Sequence, residues 1–346
     1  MGRRSRKSKR KLNSLLLALL LSAILLIVST YAWFSANKTV EITGITAKVS
    51  AAEGLQISLD AKTWGTSVEV NETTLNAAKT VTATNLANMQ PDMCLPTELH
   101  PVSTTGAATS DGITFYSGQV SSDGTTLTSA AQATATNNYI VFDIYLKNSS
   151  SQAKDTLQLN GNSSVALGKT TGKLGVENTG LENCPRVAIE LFDNTAPLTA
   201  QQTTVTALTA GTSPAVSIWE PNYNRHILEV VTNDGRIATD SSEFSTLGLK
   251  SSGTNGTLTG INGTEATDFM AATTTIQTGA TVGNATNMIK AIGTGNLELT
   301  GNAITKARVY IWLEGQDPDC IDTASTGVSF NTTIKFCKPA VTGSGS

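Results

Sequence analysis

Period-two alternation over two long segments constrains what this chain can fold into more than any other feature. In Ile304–Glu314, residues Ala307, Val309, Ile311 and Leu313 fall on one face, and Lys306, Arg308, Tyr310, Trp312 and Glu314 on the other. In Gly327–Cys337, Val328, Phe330, Ile334 and Phe336 share a face, with Ser329, Asn331, Thr333 and Lys335 opposite. Arg186–Phe192 alternates too, placing Val187, Ile189 and Leu191 together. Successive side chains of a strand point to opposite sides of a sheet, so each segment predicts a strand half buried against a core. Tyr139–Leu146 is apolar apart from Asp143, the pattern of a central strand covered on both faces. Shorter strand candidates are Leu55–Leu59, Ile113–Tyr116, Thr156–Leu159 and Ile227–Val231. Only Thr73–Met89 and Asn284–Ile292 carry helical patterns. Between these elements lie stretches of Gly, Ser, Thr and Asn, above all Thr232–Gly283, which predict loops or short edge strands. The expected fold is mainly β: a β-sandwich, jelly-roll-like, with long Thr/Gly/Asn-rich loops and one or two short helices. It would occupy residues 34–340, with 232–283 as an inserted loop region and 341–346 as a flexible tail.

Ahead of this region, Arg3, Arg4, Arg6, Lys7, Lys9, Arg10 and Lys11 precede an apolar run from Leu15 to Val28. Ser29-Thr30-Tyr31-Ala32-Trp33-Phe34 follows. Cations, an apolar stretch and a small-residue exit are the physical marks of an export signal, because positive charge resists translocation. Counted to Phe34, the run reaches the roughly 20 residues that a membrane span needs. Residues 1–33 therefore read as a cleaved signal peptide or as a retained transmembrane anchor. Cleavage is expected within Ala32, Trp33, Phe34, Ser35 and Ala36. With the seven N-terminal cations set aside, acidic residues outnumber basic ones, which argues against nucleic acid as a partner. The low charged fraction, 15%, leaves a surface coated with hydroxyls and amides, usual for extracellular β-proteins. The expected location is extracellular or on the cell surface, and the expected partners are the export machinery and its signal peptidase.

The chain's catalytic vocabulary is sparse. Its two histidines, His100 and His226, stand in unrelated contexts, with no HExxH, GxSxG or phosphate-loop pattern. No enzyme activity and no cofactor are expected, with an exported hydrolase as the remote alternative. Leu95-Pro96-Thr97-Glu98-Leu99 is not a sortase signal, since it lies mid-chain without an apolar tail behind it. Glu314, Asp317, Asp319 and Asp322 offer oxygen ligands of the kind calcium takes, but their order is not that of an EF-hand. The bland reading of the same segment is a polar turn closing a hairpin between the two alternating strands. Cys94, Cys184, Cys320 and Cys337 permit two disulfides outside the cytoplasm, or stand as free thiols. If the strands beginning after Cys184 and ending at Cys337 are antiparallel neighbours, those two cysteines lie side by side. Cys320 would sit a strand's length away, about 30 Å at roughly 3.3 Å per residue. This favours Cys184–Cys337 and Cys94–Cys320.

The stretch Leu15 to Val40, with Thr30, Tyr31, Ala32 and Phe34, resembles the export signals of the TasA and camelysin family of bacterial surface proteins. Those signals end in a Thr-aromatic-Ala-x-Phe pattern and are processed by a signal peptidase of the SipW type. Ala36 replaces the acidic residue common after the Phe-Ser pair. Thr114–Gly118 and Val309–Asp317 are similar to segments of uncharacterised exported proteins carrying the same kind of signal. The resemblance implies a jelly-roll-like sandwich that assembles into extracellular matrix fibres. Some members are labelled metalloproteases, a label that the two isolated histidines here do not support. The expected function is an exported structural subunit of the cell surface or matrix, with an anchored adhesin or ligand-binding module as the alternative.

After the signal, Val40 and Ile42 alternate with Thr39, Glu41 and Thr43, and beyond Gly44 the apolar phase shifts to Ile45, Ala47 and Val49. A glycine between two phases predicts a bulge or bend. Two arrangements follow. Both halves pair within their own subunit, or Phe34–Thr43 crosses to a neighbour and adds a strand to its sheet. Head-to-tail pairing of the second kind does not close, so it builds a filament of self-associated copies.

Overall fold

The computed structural model describes residues 40–51, 54–81, 95–96, 98–109, 112–120, 127–159, 163–168, 184–211, 214–219, 221, 246–249, 269–271, 276–277, 288–290, 297–315 and 328–338. The fold is mainly β. Its largest sheet has seven strands in the order β16 (Ile276–Gln277), β17 (Met288–Lys290), β13 (Ala215–Trp219), β12 (Pro185–Pro197), β19 (Ala303–Leu313), β8 (Tyr139–Asn148) and β2 (Leu55–Ser58). A second sheet runs β10 (Gln158–Leu159), β20 (Val328–Cys337), β1 (Val40–Ala51) and β3 (Ser67–Val70); β11 (Ser164–Gly168) also pairs with β20, and β4 (Glu98–Leu99) with β1. A third sheet is the meander β5 (Ser103–Thr109), β6 (Gly112–Val120) and β7 (Leu127–Gln132). Two small ribbons pair β14 (Thr246–Leu249) with β15 (Phe269–Ala271), and β18 (Glu298–Thr300) with β9 (Lys154–Thr156).

The alternating patterns explain the first two layers. Ala307, Val309, Ile311 and Leu313 of β19 line one face of the seven-stranded sheet with Ile140, Phe142, Ile144 and Leu146 of β8 and Val187, Ile189 and Leu191 of β12. They meet Ala47, Val49, Val70, Leu159, Val165, Ile334 and Phe336 of the second sheet in one continuous core. Each fully buried aliphatic or aromatic side chain there contributes about 1.5–3 kcal/mol.

The opposite face departs from expectation. Instead of facing water, every residue of β19 is buried, as are Pro185–Phe192 of β12. The reason is the third sheet. Ile113 and Phe115 of β6 pack with Tyr139, Val141, Ala188, Val216, Ile218, Tyr310 and Trp312 as a second core. Phe115 stacks on Tyr139 at 4.4 Å and meets the Trp312 ring edge-on at 5.0 Å. A third cluster of Ala61, Tyr145, Ala196, Val205, Leu208 and Ile304 covers the other end of that face. The prediction for β8, a strand covered on both sides, agrees with its burial from Tyr139 to Leu146.

Three expectations are corrected. β19 and β20 form no hairpin: they belong to different sheets, and β20 instead runs parallel to β1. Within Asn284–Ile292, read as helical, Met288–Lys290 is strand β17, held between β13 and β16. Thr156–Leu159 divides between β9 and β10. Among the described residues the helical segments are α1 (Glu72–Val81) and the single turns α2 (Ala135–Asn138) and α3 (Gln202–Thr206). The helix expected over Thr73–Met89 is described to Val81. Ile227–Val231 and the tail 341–346 lie outside the described residues. Within 232–283, β14, β15 and β16 are short strands, β16 an edge of the large sheet, as the composition predicted.

Candidate functional site

The polar alternation of β19 places Lys306, Arg308 and Tyr310 in a row on the face beneath the third sheet. Across one seam, Arg308 stands opposite Asp143 of β8; across the other it stands opposite Glu190 of β12. All of these side chains are buried. Arg308 holds Asp143 bidentately, Nε to Oδ1 at 2.7 Å and Nη2 to Oδ2 at 3.1 Å. Lys306 Nζ reaches the same Oδ2 at 3.1 Å. Two cations thus share one carboxylate, and both lie over the Phe192 ring, at 5.1 and 5.4 Å.

Glu190 sits differently. Its Oε2 accepts a hydrogen bond from the Tyr310 hydroxyl at 2.9 Å, and that hydroxyl accepts one from the Ile113 backbone N–H at 3.2 Å. Its Oε1 is buried with no partner, as is the Tyr145 hydroxyl. Gly112, at φ +102°, lies directly above: a Cβ there would stand 2.3 Å from the Tyr310 hydroxyl, 3.5 Å from Glu190 Oε2 and 3.6 Å from Arg308 Nη1.

The electrostatics follow from burial and pairing. Burial would raise Asp143, but Arg308 and Lys306 override it and hold the carboxyl below its usual value. Burial lowers Lys306 below the usual value of an ammonium further than Asp143 can restore. Burial pushes Glu190 up to about 7, despite the opposing pull of Arg308 and Tyr310. Burial, then Glu190, raises Tyr310 well above an ordinary phenol. The row therefore joins a carboxylate, an amine with weakened hold on its proton, and a carboxyl that exchanges a proton near neutral pH. Asp143 was visible in the sequence as a lone carboxylate in an apolar strand. Glu190 carries no such local signal, because its partner Tyr310 and the covering Gly112–Ile113 backbone are distant in sequence.

The residues expected to act are dispersed. Glu314, the first calcium candidate, is buried; its Oε2 accepts from Trp312 Nε1 at 3.1 Å and its backbone N–H bonds the Cys184 carbonyl. Asp317, Asp319 and Asp322 lie outside the described residues, as do Cys94, Cys320 and the cleavage region Ala32–Ala36. Among the described residues no group of three acidic, His or Cys side chains could hold a metal ion. The expected Cys184–Cys337 bridge is absent: Cys184 precedes β12 of the large sheet, Cys337 ends β20 of the second sheet, and the two are not bonded to each other. Among the described residues no helix is long and apolar enough to cross a membrane; Leu15–Phe34 lies outside them.

Val40 and Ile42 lie at the start of β1, where Val40 pairs with Leu99 and Ile42 with Val328. The register shifts between Ile42 and Gly44, the bulge the glycine predicted. From Ala47 to Ser50, β1 is held on both edges, by β20 and by β3. Residues 40–51 thus pair within the chain, the first of the two arrangements open from sequence. The chain matches no family model, no curated protein and no solved structure.

Proposed function

We propose that this chain is an exported structural subunit of the cell surface or extracellular matrix, self-assembling through the N-terminal part of β1. The observation that carries the reading is the division of β1 at its bulge. Residues 44–51 pair with β20, and Ala47–Ser50 among them also with β3, whereas Val40 and Glu41 pair with the two-residue strand β4 and Ile42 with Val328. A segment so lightly held, directly behind the apolar run Leu15–Val28, can leave its seat without unravelling the sheet and occupy the same seat in a neighbour. Main-chain hydrogen bonds would supply affinity and Val40 and Ile42 the apolar contacts. Removal of residues 1–33 would free the segment and restrict assembly to the outside of the cell.

The test is negative-stain imaging of the secreted chain, its N-terminus fixed by intact-mass analysis. Beside it stand a truncation beginning at Gly44 and the Ile42→Asp variant. Filaments from the parent and none from either variant support the reading. Filaments from both variants, or none from the parent, reject strand exchange. A chain found in membranes with Leu15–Val28 intact points instead to an anchored adhesin or binding module.

A further inference from the structure

The buried row leaves an electrostatic imbalance that ordinary pairing does not resolve. Arg308 and Lys306 both spend their charge on Asp143, while Glu190, opposite Arg308 on the other seam, keeps one oxygen without a partner. Lys306 and Asp143 are both 0% exposed and in contact at 3.1 Å, with the Phe192 ring over the amine. A dry ion pair bears a desolvation cost that a neutral amide of the same atoms avoids. Removing Lys306 and Asp143 as charges would leave one cation and one carboxylate, Arg308 and Glu190, at the same level of adjacent strands.

We propose that Lys306 and Asp143 condense into an intramolecular amide that joins β19 covalently to β8, with Glu190 relaying the protons. The ion pair contains all the atoms required. The Lys306 ammonium gives one proton to Glu190, and the freed Nζ lone pair attacks Cγ of Asp143, forming the C–N bond. The bidentate Arg308 guanidinium faces both oxygens and takes up the negative charge of the tetrahedral intermediate. A second proton leaves Nζ, the C–O bond breaks with its electron pair, and that oxygen departs with both protons as water. The third proton stays on the amide nitrogen. Nothing is oxidised or reduced, and total charge is unchanged. Glu190 suits the relay because burial holds its carboxyl near neutrality. Glu190 Oε1 and the Tyr145 hydroxyl are buried and without a hydrogen-bond partner. Tyr145 stands opposite Lys306 in the β8–β19 register. The link would close a loop from Asp143 to Lys306 and fasten two central strands, a covalent tie suited to a subunit under load.

Intact-mass spectrometry of the purified full chain decides the matter. The expected mass is about 18 Da, one water, below that of the sequence from its own N-terminus. A branched tryptic peptide should unite the segments containing Asp143 and Lys306, without cleavage after Lys306. Lys306→Met and Glu190→Gln chains should show the full mass. Asp143→Asn should lose ammonia instead of water and reach the same final mass as the parent, an outcome that mere dehydration elsewhere would not produce. A folded parent at full mass, or a deficit mapped to other residues, overturns the proposal without recourse to any variant. Glu190→Gln that condenses as fast as the parent overturns the relay.

Discussion

Tyr310 donates its phenolic hydrogen to Oε2 of Glu190 at 2.9 Å, while the other oxygen of the same carboxyl is buried with no partner. Burial therefore dominates and lifts Glu190 from 4.5 to about 7, against the pull of Arg308 and Tyr310. A carboxyl raised on folding contributes stability that is complete below its unfolded value and is lost as pH rises through the folded one. Asp143 acts in the opposite sense but below its unfolded value of 3.8, outside this window. The Lys306→Met chain cannot form the amide and isolates the Glu190 effect. Its stability should fall between pH 5 and pH 8, by up to about 3 kcal/mol. Urea unfolding at the two pH values measures the change, and adding Glu190→Gln should flatten it. A Lys306→Met chain more stable at pH 8 than at pH 5 would contradict this assignment.

Cys337 closes β20 opposite Gln158, half-buried and with a free thiol that burial pushes up. Loss of a disulfide from a folded domain costs about 2–5 kcal/mol. Cys337→Ser should cost under about 1 kcal/mol, since a half-buried site loses little on exchanging sulfur for a hydroxyl. Thermal unfolding without reductant separates these outcomes.

Helix α1 starts on a reciprocal cap. Asn71 Oδ1 accepts the Thr74 N–H at 2.9 Å, and Thr74 Oγ1 accepts the Asn71 N–H at 3.0 Å. The Leu75 and Ala78 face that this helix buries depends on its first turn. Asn71→Ala should cost about 1 kcal/mol, and Asn71→Asp, which keeps the acceptor, much less. Chemical denaturation of the two variants checks the difference.

The two long alternating segments disclosed that Ala307, Val309, Ile311 and Leu313 of β19 and Ile334 and Phe336 of β20 face the shared core, and Gly44 disclosed the bulge in β1. Period two reports faces but not neighbours. That β20 pairs with β1 in parallel, across most of the chain, has no local signature, so the expected β19–β20 hairpin failed, and with it the Cys184–Cys337 pairing, which needed β12 beside β20. Lys306, Arg308 and Tyr310 look solvent-facing in the sequence because the groups that satisfy their polarity, above all Asp143 and Glu190, lie on other strands. A charged face buried under a third layer reads in sequence like a wet one. Met288–Lys290 took strand geometry through its place between β13 and β16, a tertiary choice over a weak local preference.

Gly112 couples the third sheet to the buried row, and its substitution tests that contact. Its φ of +102° belongs to the region that L side chains rarely adopt. A Cβ at this position would stand 2.3 Å from the Tyr310 hydroxyl, which cannot retreat because Ile113 N–H and Glu190 hold it. Gly112→Ala should therefore destabilise by about 2–3 kcal/mol, combining overpacking with backbone strain. Tyr310→Phe alone should cost about 1–3 kcal/mol, since it strands the Ile113 N–H and Glu190 Oε2. In the double variant the clashing oxygen is gone, so the combined loss should fall short of the two single losses by about 1 kcal/mol or more. Strain from the positive φ persists and prevents full recovery. Urea unfolding of the four chains gives the coupling directly. Strictly additive losses would show that the Gly112 backbone does not press on the Tyr310 hydroxyl, and the third sheet would then be seated by the packing of Ile113 and Phe115 in the second core.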